Sequence, residues 1–248
     1  MYLHVYLIFY FYFLRINADL KHRIFFLIQL LIYTCYIYML YIFGDSHANF
    51  CFRDLTTHIP VVNCFQNSIT LHRVGRDRVF PNFNPSFNTH ESIFMFLYGE
   101  VDCRCHINTQ LKQDRTLDEI CSTLTQNLIQ AIKTRCNLSS YPIIICSVVP
   151  PVRQQDYEAI NGPITHDLPF RGTDEERVLY TQTLNDHLKK ACEQEQFVYF
   201  DIYSLYANEQ GLLDYHLTDQ TVHIQKNQTL LQKFNQFLTQ DIRRTTYV

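Results

Sequence analysis

The sequence has no tryptophan and only six glycines in 248 residues. So few glycines leave no GxGxxG fingerprint and no P-loop, and nothing supports a cradle for nucleotide phosphates. Charge of either sign is thin: the net is −3, with no long basic or acidic run. Nucleic-acid binders normally carry a basic stripe, so a nucleic-acid partner is not expected. Cysteines number nine, but no CxxC occurs. Cys103 and Cys105 stand too close for an ordinary zinc pair and lack a second pair at matching spacing. HxH and HExxH are missing as well, so a metal site gathered from Asp45, His47, Asp102, Asp219 and His223 stays a minority reading and no metal is expected. The cysteines read as small buried hydrophobes in a reducing compartment rather than as a disulfide framework.

What the sequence does have is apolar bulk. Hydrophobic residues make up 47%, with 17 Tyr and 19 Phe carrying the aromatic load. The length suits one large α/β domain. The most informative stretch is Met39-Leu40-Tyr41-Ile42-Phe43-Gly44-Asp45-Ser46-His47, where an apolar run ends abruptly in Gly-Asp-Ser-His. In an α/β protein such a junction is a buried strand emptying into a loop at the carboxyl edge of the sheet, where ligands and catalytic groups sit. A serine there is a candidate nucleophile. Its plainer role is to cap the helix that follows, and Asp45 is a turn former by the same logic.

Residues 1–38 form an apolar extension with a separate problem. Residues 24–43 hold no formal charge and match the length of a membrane span. Yet residues 39–44 are wanted for the first strand, and they cannot lie in a bilayer and in a sheet core together. A start at Met39 resolves the conflict and implies a cytoplasmic protein. The alternative is a protein anchored in a membrane through residues 1–38.

After Ser46 the chain alternates. Residues 59–65 (IPVVNCF) read as a short strand, and residues 68–74 as a second short strand or extended loop. Residues 92–98 (SIFMFLY) are a continuous apolar run, as in a parallel strand buried on both faces. Residues 117–136 carry apolar side chains at helical spacing. Residues 141–149 read as a strand, 152–172 as a loop, and 174–195 as a helix with Thr173 as its cap. Residues 197–203 are the last strand, and a closing helix follows residue 227. The alternation predicts a three-layer α/β/α domain over residues 39–242 with a mainly parallel sheet, and a tail at 243–248.

Three strand exits carry notable polar groups: Gly44 to His47, then Gly99-Glu100-Val101-Asp102-Cys103-Arg104, then Asp219-Gln220-Thr221-Val222-His223-Ile224. In one parallel sheet these exits converge, so a Ser/His/Asp site is permitted. These three blocks resemble the SGNH, or GDSL-like, hydrolases, in particular a branch with GDSH, GE(I/V)DCR and DxxxHI blocks. The resemblance implies a flavodoxin-like fold and an esterase or acyl hydrolase without cofactor. It implies Ser46 as nucleophile, His223 as general base and Asp219 as the carboxylate that orients it. It also implies oxyanion donors at the Ser46 and Gly75 amides, Gly75 standing for the family's second-block glycine. Asp45, His47, Glu100, Asp102 and Arg104 are the accompanying oxyanion or substrate-side candidates, although Glu100, Asp102 and Arg104 could equally form a buried ion network. The expected partner is a small-molecule ester or a glycan-linked acyl substrate. Two departures stand out. Val101 occupies the position of an oxyanion asparagine, and Asp219 precedes the histidine by four residues where the general family has three. Val101 keeps open a second class, a non-catalytic or glycan-binding module on the same fold.

Overall fold

The computed structural model describes residues 39–52, 57, 59–87, 92–136, 142–164 and 168–245. The expectations for residues 1–38 therefore lie outside the described residues. Among those described, no helix is long and apolar enough to cross a membrane.

Five strands form the sheet: β1 (Met39–Gly44), β2 (Val61–Asn63), β3 (Ser92–Leu97), β4 (Ile143–Cys146) and β5 (Val198–Phe200). Their order is β2-β1-β3-β4-β5, and every neighbouring pair is parallel. This is the flavodoxin-like order, whose switch point lies between β1 and β3. Side chains alternate across the strands, so each run feeds two cores. Phe43, Phe94, Phe96, Ile143 and Ile145 join the core on one face. Leu40, Ile42, Ile93, Met95, Leu97, Ile144 and Cys146 join the other. Burial on both faces explains why β3 is apolar without a break.

Helices cover both faces. The first core is closed by α2 (Leu71–Asp77), α4 (Leu117–Arg135) and α6 (Asp174–Glu195). The second is closed by α1 (Ser46–Phe52) and α7 (Gln228–Thr245). Two further short helices lie among the described residues: α3 (Ile107–Leu111), entered through a wide turn at Asp102–His106, and α5 (Gln154–Asn161). As expected, Thr173 caps α6, and it does so within a reciprocal capping box with Glu176. The eight described cysteines are buried free thiols.

Three elements differ from the sequence expectations. Residues 71–77, expected as extended, form α2. Thr70 accepts the Arg73 N–H, and the distant Asp102 carboxylate accepts those of Leu71 (2.6 Å) and His72 (3.2 Å). The helix is thus capped from another part of the fold, which a short alternating pattern cannot reveal. In the expected 152–172 loop lies α5. It is only eight residues long and buries none completely, with Tyr157 packed against the second core, and Asp174 accepts the Gln154 N–H at its start. Finally, α7 continues to Thr245, into the expected tail.

Candidate active site

The site begins with the turn from β1 into α1. A Cβ on Gly44 would stand 2.5 Å from both the Ala48 side chain and the Leu97 carbonyl, so only glycine allows this close approach. The turn delivers Ser46 to the carboxyl edge, at the switch point between β1 and β3. The capping acceptor of α1 is Asp45, not Ser46: the Asp45 carboxylate accepts the His47 N–H at 2.9 Å. Ser46 Oγ is left for other work.

That hydroxyl meets the end of the chain. Ser46 Oγ lies 3.0 Å from His223 Nε2, across 177 residues of sequence. His223 sits in a tight loop closed by the antiparallel bridge of Thr218 with Ile224 and by the Asp219 N–H donating to the His223 carbonyl. On the other side of the ring, Nδ1 is 2.8 Å from Thr221 Oγ1 and 3.4 Å from Asp219 Oδ2. The Thr221 hydroxyl in turn donates to Asp219 Oδ1 at 2.5 Å. The Phe50 ring stacks on His223 with centroids 4.3 Å apart and is 37% exposed, so an aromatic face borders the serine. Burial and then the neighbouring His47 hold His223 below the ordinary histidine value, with Asp219 and Glu100 opposing. The imidazole is therefore neutral at pH 7, as a general base must be.

No family model matches the sequence, and no curated protein does. Solved structures do match. The chain is similar to a GDSL-like lipase from Bacteroides thetaiotaomicron (TM-score 0.51, 12% identity, 86% of this chain and 90% of that one). It is similar also to a protein assigned as an acylhydrolase from Bacteroides fragilis (TM-score 0.51, 13% identity, 85% and 88%). A third is assigned as a platelet activating factor from Streptococcus pneumonia (TM-score 0.50, 15% identity, 84% and 83%). The chain has the SGNH hydrolase fold.

Within this SGNH fold the remaining candidates fall into two groups. Asp45, His47, Glu100 and Arg104 gather behind Ser46, almost wholly buried. Arg104 grips Glu100 with two guanidinium hydrogen bonds (Nε to Oε1 2.6 Å, Nη2 to Oε2 3.2 Å). His47 Nε2 is 3.7 Å from Glu100 Oε2, an electrostatic contact too long for a hydrogen bond. Neither ring nitrogen of His47 has a hydrogen-bond partner, and its ring lies 5.3 Å from that of His223. Burial alone would raise Glu100, but Arg104 and His47 outweigh it and hold it well below the usual carboxylate range. For Asp45 burial wins: with the Glu100 charge it pushes the carboxyl up to about 6 against the pull of His47 and Arg104.

Asp102 and Gly75 belong to the scaffold around α2. Asp102 holds the α2 amides, and burial pushes its carboxyl up to about 7 against their pull. Gly75 lies inside α2, with its amide in the helix ladder. A Cβ there would stand 2.5 Å from the Asn127 Cβ of α4, so its smallness serves helix packing. Val101 is buried and apolar. Among the described residues no group of three or more His, Cys, Asp or Glu side chains gathers as metal ligands would.

Sequence reasoning passed over Thr221, Phe50 and the strap over the β3 exit. In that strap the Leu168 carbonyl accepts from Arg104 Nη1, the Arg171 N–H donates to the Arg104 carbonyl, and Cys105 Sγ donates to the Pro169 carbonyl. Two guanidinium groups lie over the Phe170 ring, Arg177 at 4.9 Å and Arg104 at 5.9 Å from its centre. Nothing in the sequence marks Thr221, a threonine in a polar loop two residues before His223.

Proposed function

We propose that the chain is an SGNH-type serine hydrolase acting on a small-molecule ester or a glycan-linked acyl group. The observation that carries this reading is the 3.0 Å contact of Ser46 Oγ with His223 Nε2, backed on the far side of the ring by Thr221 and Asp219. Ser46 Oγ attacks the ester carbonyl carbon while its proton passes to His223 Nε2. The tetrahedral oxyanion faces the Ser46 N–H, which opens α1 and has no partner within the helix. One such donor is typically worth about 10²–10³ in rate. His223 returns the proton to the leaving alkoxide, and Ser46 stays acylated. Water then repeats the sequence: it loses a proton to His223, attacks the acyl carbon, and releases the acid and a regenerated serine.

The test is a fluorophosphonate probe, which labels only an activated serine. Peptide mass spectrometry is expected to place the adduct on Ser46. A chain that stays unlabelled while folded fits instead the second reading, a non-catalytic or glycan-binding module, which the apolar Val101 favours.

The pH profile supplies a further check. His223 must be neutral to accept the Ser46 proton, and its folded value lies below the ordinary ~6.5. The acid limb of kcat/KM on a p-nitrophenyl ester is thus expected to have its midpoint below pH ~6.5. A midpoint above that value contradicts the neutral-imidazole assignment.

A further inference from the structure

A threonine hydroxyl has one proton to donate and two lone pairs that accept. At Thr221 all three are used. The proton goes to Asp219 Oδ1 at 2.5 Å, because an ionised carboxylate can only accept. The lone pairs face the His223 backbone N–H at 3.3 Å and His223 Nδ1 at 2.8 Å. With its only proton spent on Asp219, Thr221 can do nothing toward Nδ1 but accept. Nδ1 must then carry the ring proton, which leaves Nε2 bare toward Ser46. Asp219 is a poor substitute by itself, since its nearer oxygen stands 3.4 Å from Nδ1. The loop holds Thr221 in place through its own N–H, which donates to Asp219 Oδ1 at 2.9 Å, and through the left-handed Gln220 (φ 65°).

From this geometry we infer that Thr221 is a positioning residue, inserted between Asp219 and His223, which sets the tautomer and orientation of the base. The inference rests on the hydrolase reading. It also accounts for the Asp–His separation of four residues, because the hydroxyl spans the gap that the extra residue opens.

The test compares Thr221→Val, which keeps the shape and deletes the hydroxyl, with Thr221→Ser, which keeps the hydroxyl. A positioned base contributes ~10²–10⁴ in rate, so its misplacement in Thr221→Val is expected to slow fluorophosphonate labelling of Ser46 roughly 10- to 100-fold. Thr221→Ser is expected to label within about 3-fold of the parent. The acid-limb midpoint of labelling falls in Thr221→Val, because the imidazolium loses an acceptor. The other groups facing the ring stay the same in both variants: His47 on α1, Glu100 and Arg104 at the β3 exit, and Asp219 on its own loop. In an Asp219→Asn background, Thr221→Val is expected to add little, since the two residues act in series. Imidazole 15N NMR reads the tautomer without any substrate. It is expected to show the Nδ1–H form in the parent and a gain of Nε2–H in Thr221→Val. Labelling of Thr221→Val at the parental rate, Thr221→Ser as slow as Thr221→Val, or a parental Nε2–H tautomer would each overturn the inference. A parent that keeps the Nδ1–H tautomer yet never labels at Ser46 upholds the tautomer assignment and sinks the hydrolase reading instead.

Discussion

Ser46→Ala is expected to lower turnover of a short p-nitrophenyl ester by about 10⁴-fold or more, on the order of 5 kcal/mol of transition-state stabilisation. The melting temperature is expected to stay close to that of the parent, for a local reason. Asp45, not Ser46, caps α1, so alanine at the first helical position removes no cap and has the better helix propensity. His223→Ala is expected to cost a similar factor, because the serine without its base is a neutral alcohol. The double variant should then be hardly slower than either single one, since residues that act as a unit are strongly non-additive. Steady-state kinetics on the three variants, with circular dichroism to verify folding, decide the matter. Losses that multiply in the double variant would mean that the two side chains do not share one step.

The second large effect is on stability. Arg104→Met leaves Glu100 ionised and buried, with Asp45 close by and only His47 to balance it. Breaking a buried ion pair from one side costs about 3–5 kcal/mol, which in a domain of this size lowers Tm by roughly 10 °C or more. The same change frees the Leu168 carbonyl and removes one of the two guanidinium groups over the Phe170 ring, so the strap over the β3 exit loosens too. Glu100→Gln combined with Arg104→Met removes both charges and is expected to regain much of the loss. Thermal unfolding followed by calorimetry measures this. A Tm for Arg104→Met within ~2 °C of the parent would show that Glu100 is neutralised by other means.

Much of the fold was legible because parallel strands buried on both faces write themselves as unbroken apolar runs. Those of β1, β3 and β4 could be read directly, and Thr173 announced α6 through its capping chemistry. The helices that escaped notice lack such marks. The α2 cap comes from Asp102, some thirty residues away, and α5 is only eight residues long and buries none of them completely. At the site, Ser46 stood out because it follows an apolar run at a point of sharp polarity change, and His223 because an aspartate closely precedes it in the last polar loop; the structure brings them together. Gly75 drew notice through the family resemblance, as an oxyanion donor, but what surrounds it is the helix interface with Asn127, invisible without the helix. Thr221 escaped because a threonine in a polar loop has no pattern of its own. Its meaning comes only from two partners two residues away on either side.

The contact between Ser46 and His223 spans 177 residues, from the first strand to the loop before the last helix. Contacts of such high sequence separation form late, because the intervening chain must be ordered before they close. During synthesis Ser46 leaves the ribosome long before its base exists. A chain cut anywhere between residues 47 and 218 keeps the serine and loses the loop that brings His223 to it. If Ser46 is the nucleophile proposed above, its reactivity is a property of the finished molecule and is expected only once the final loop has docked.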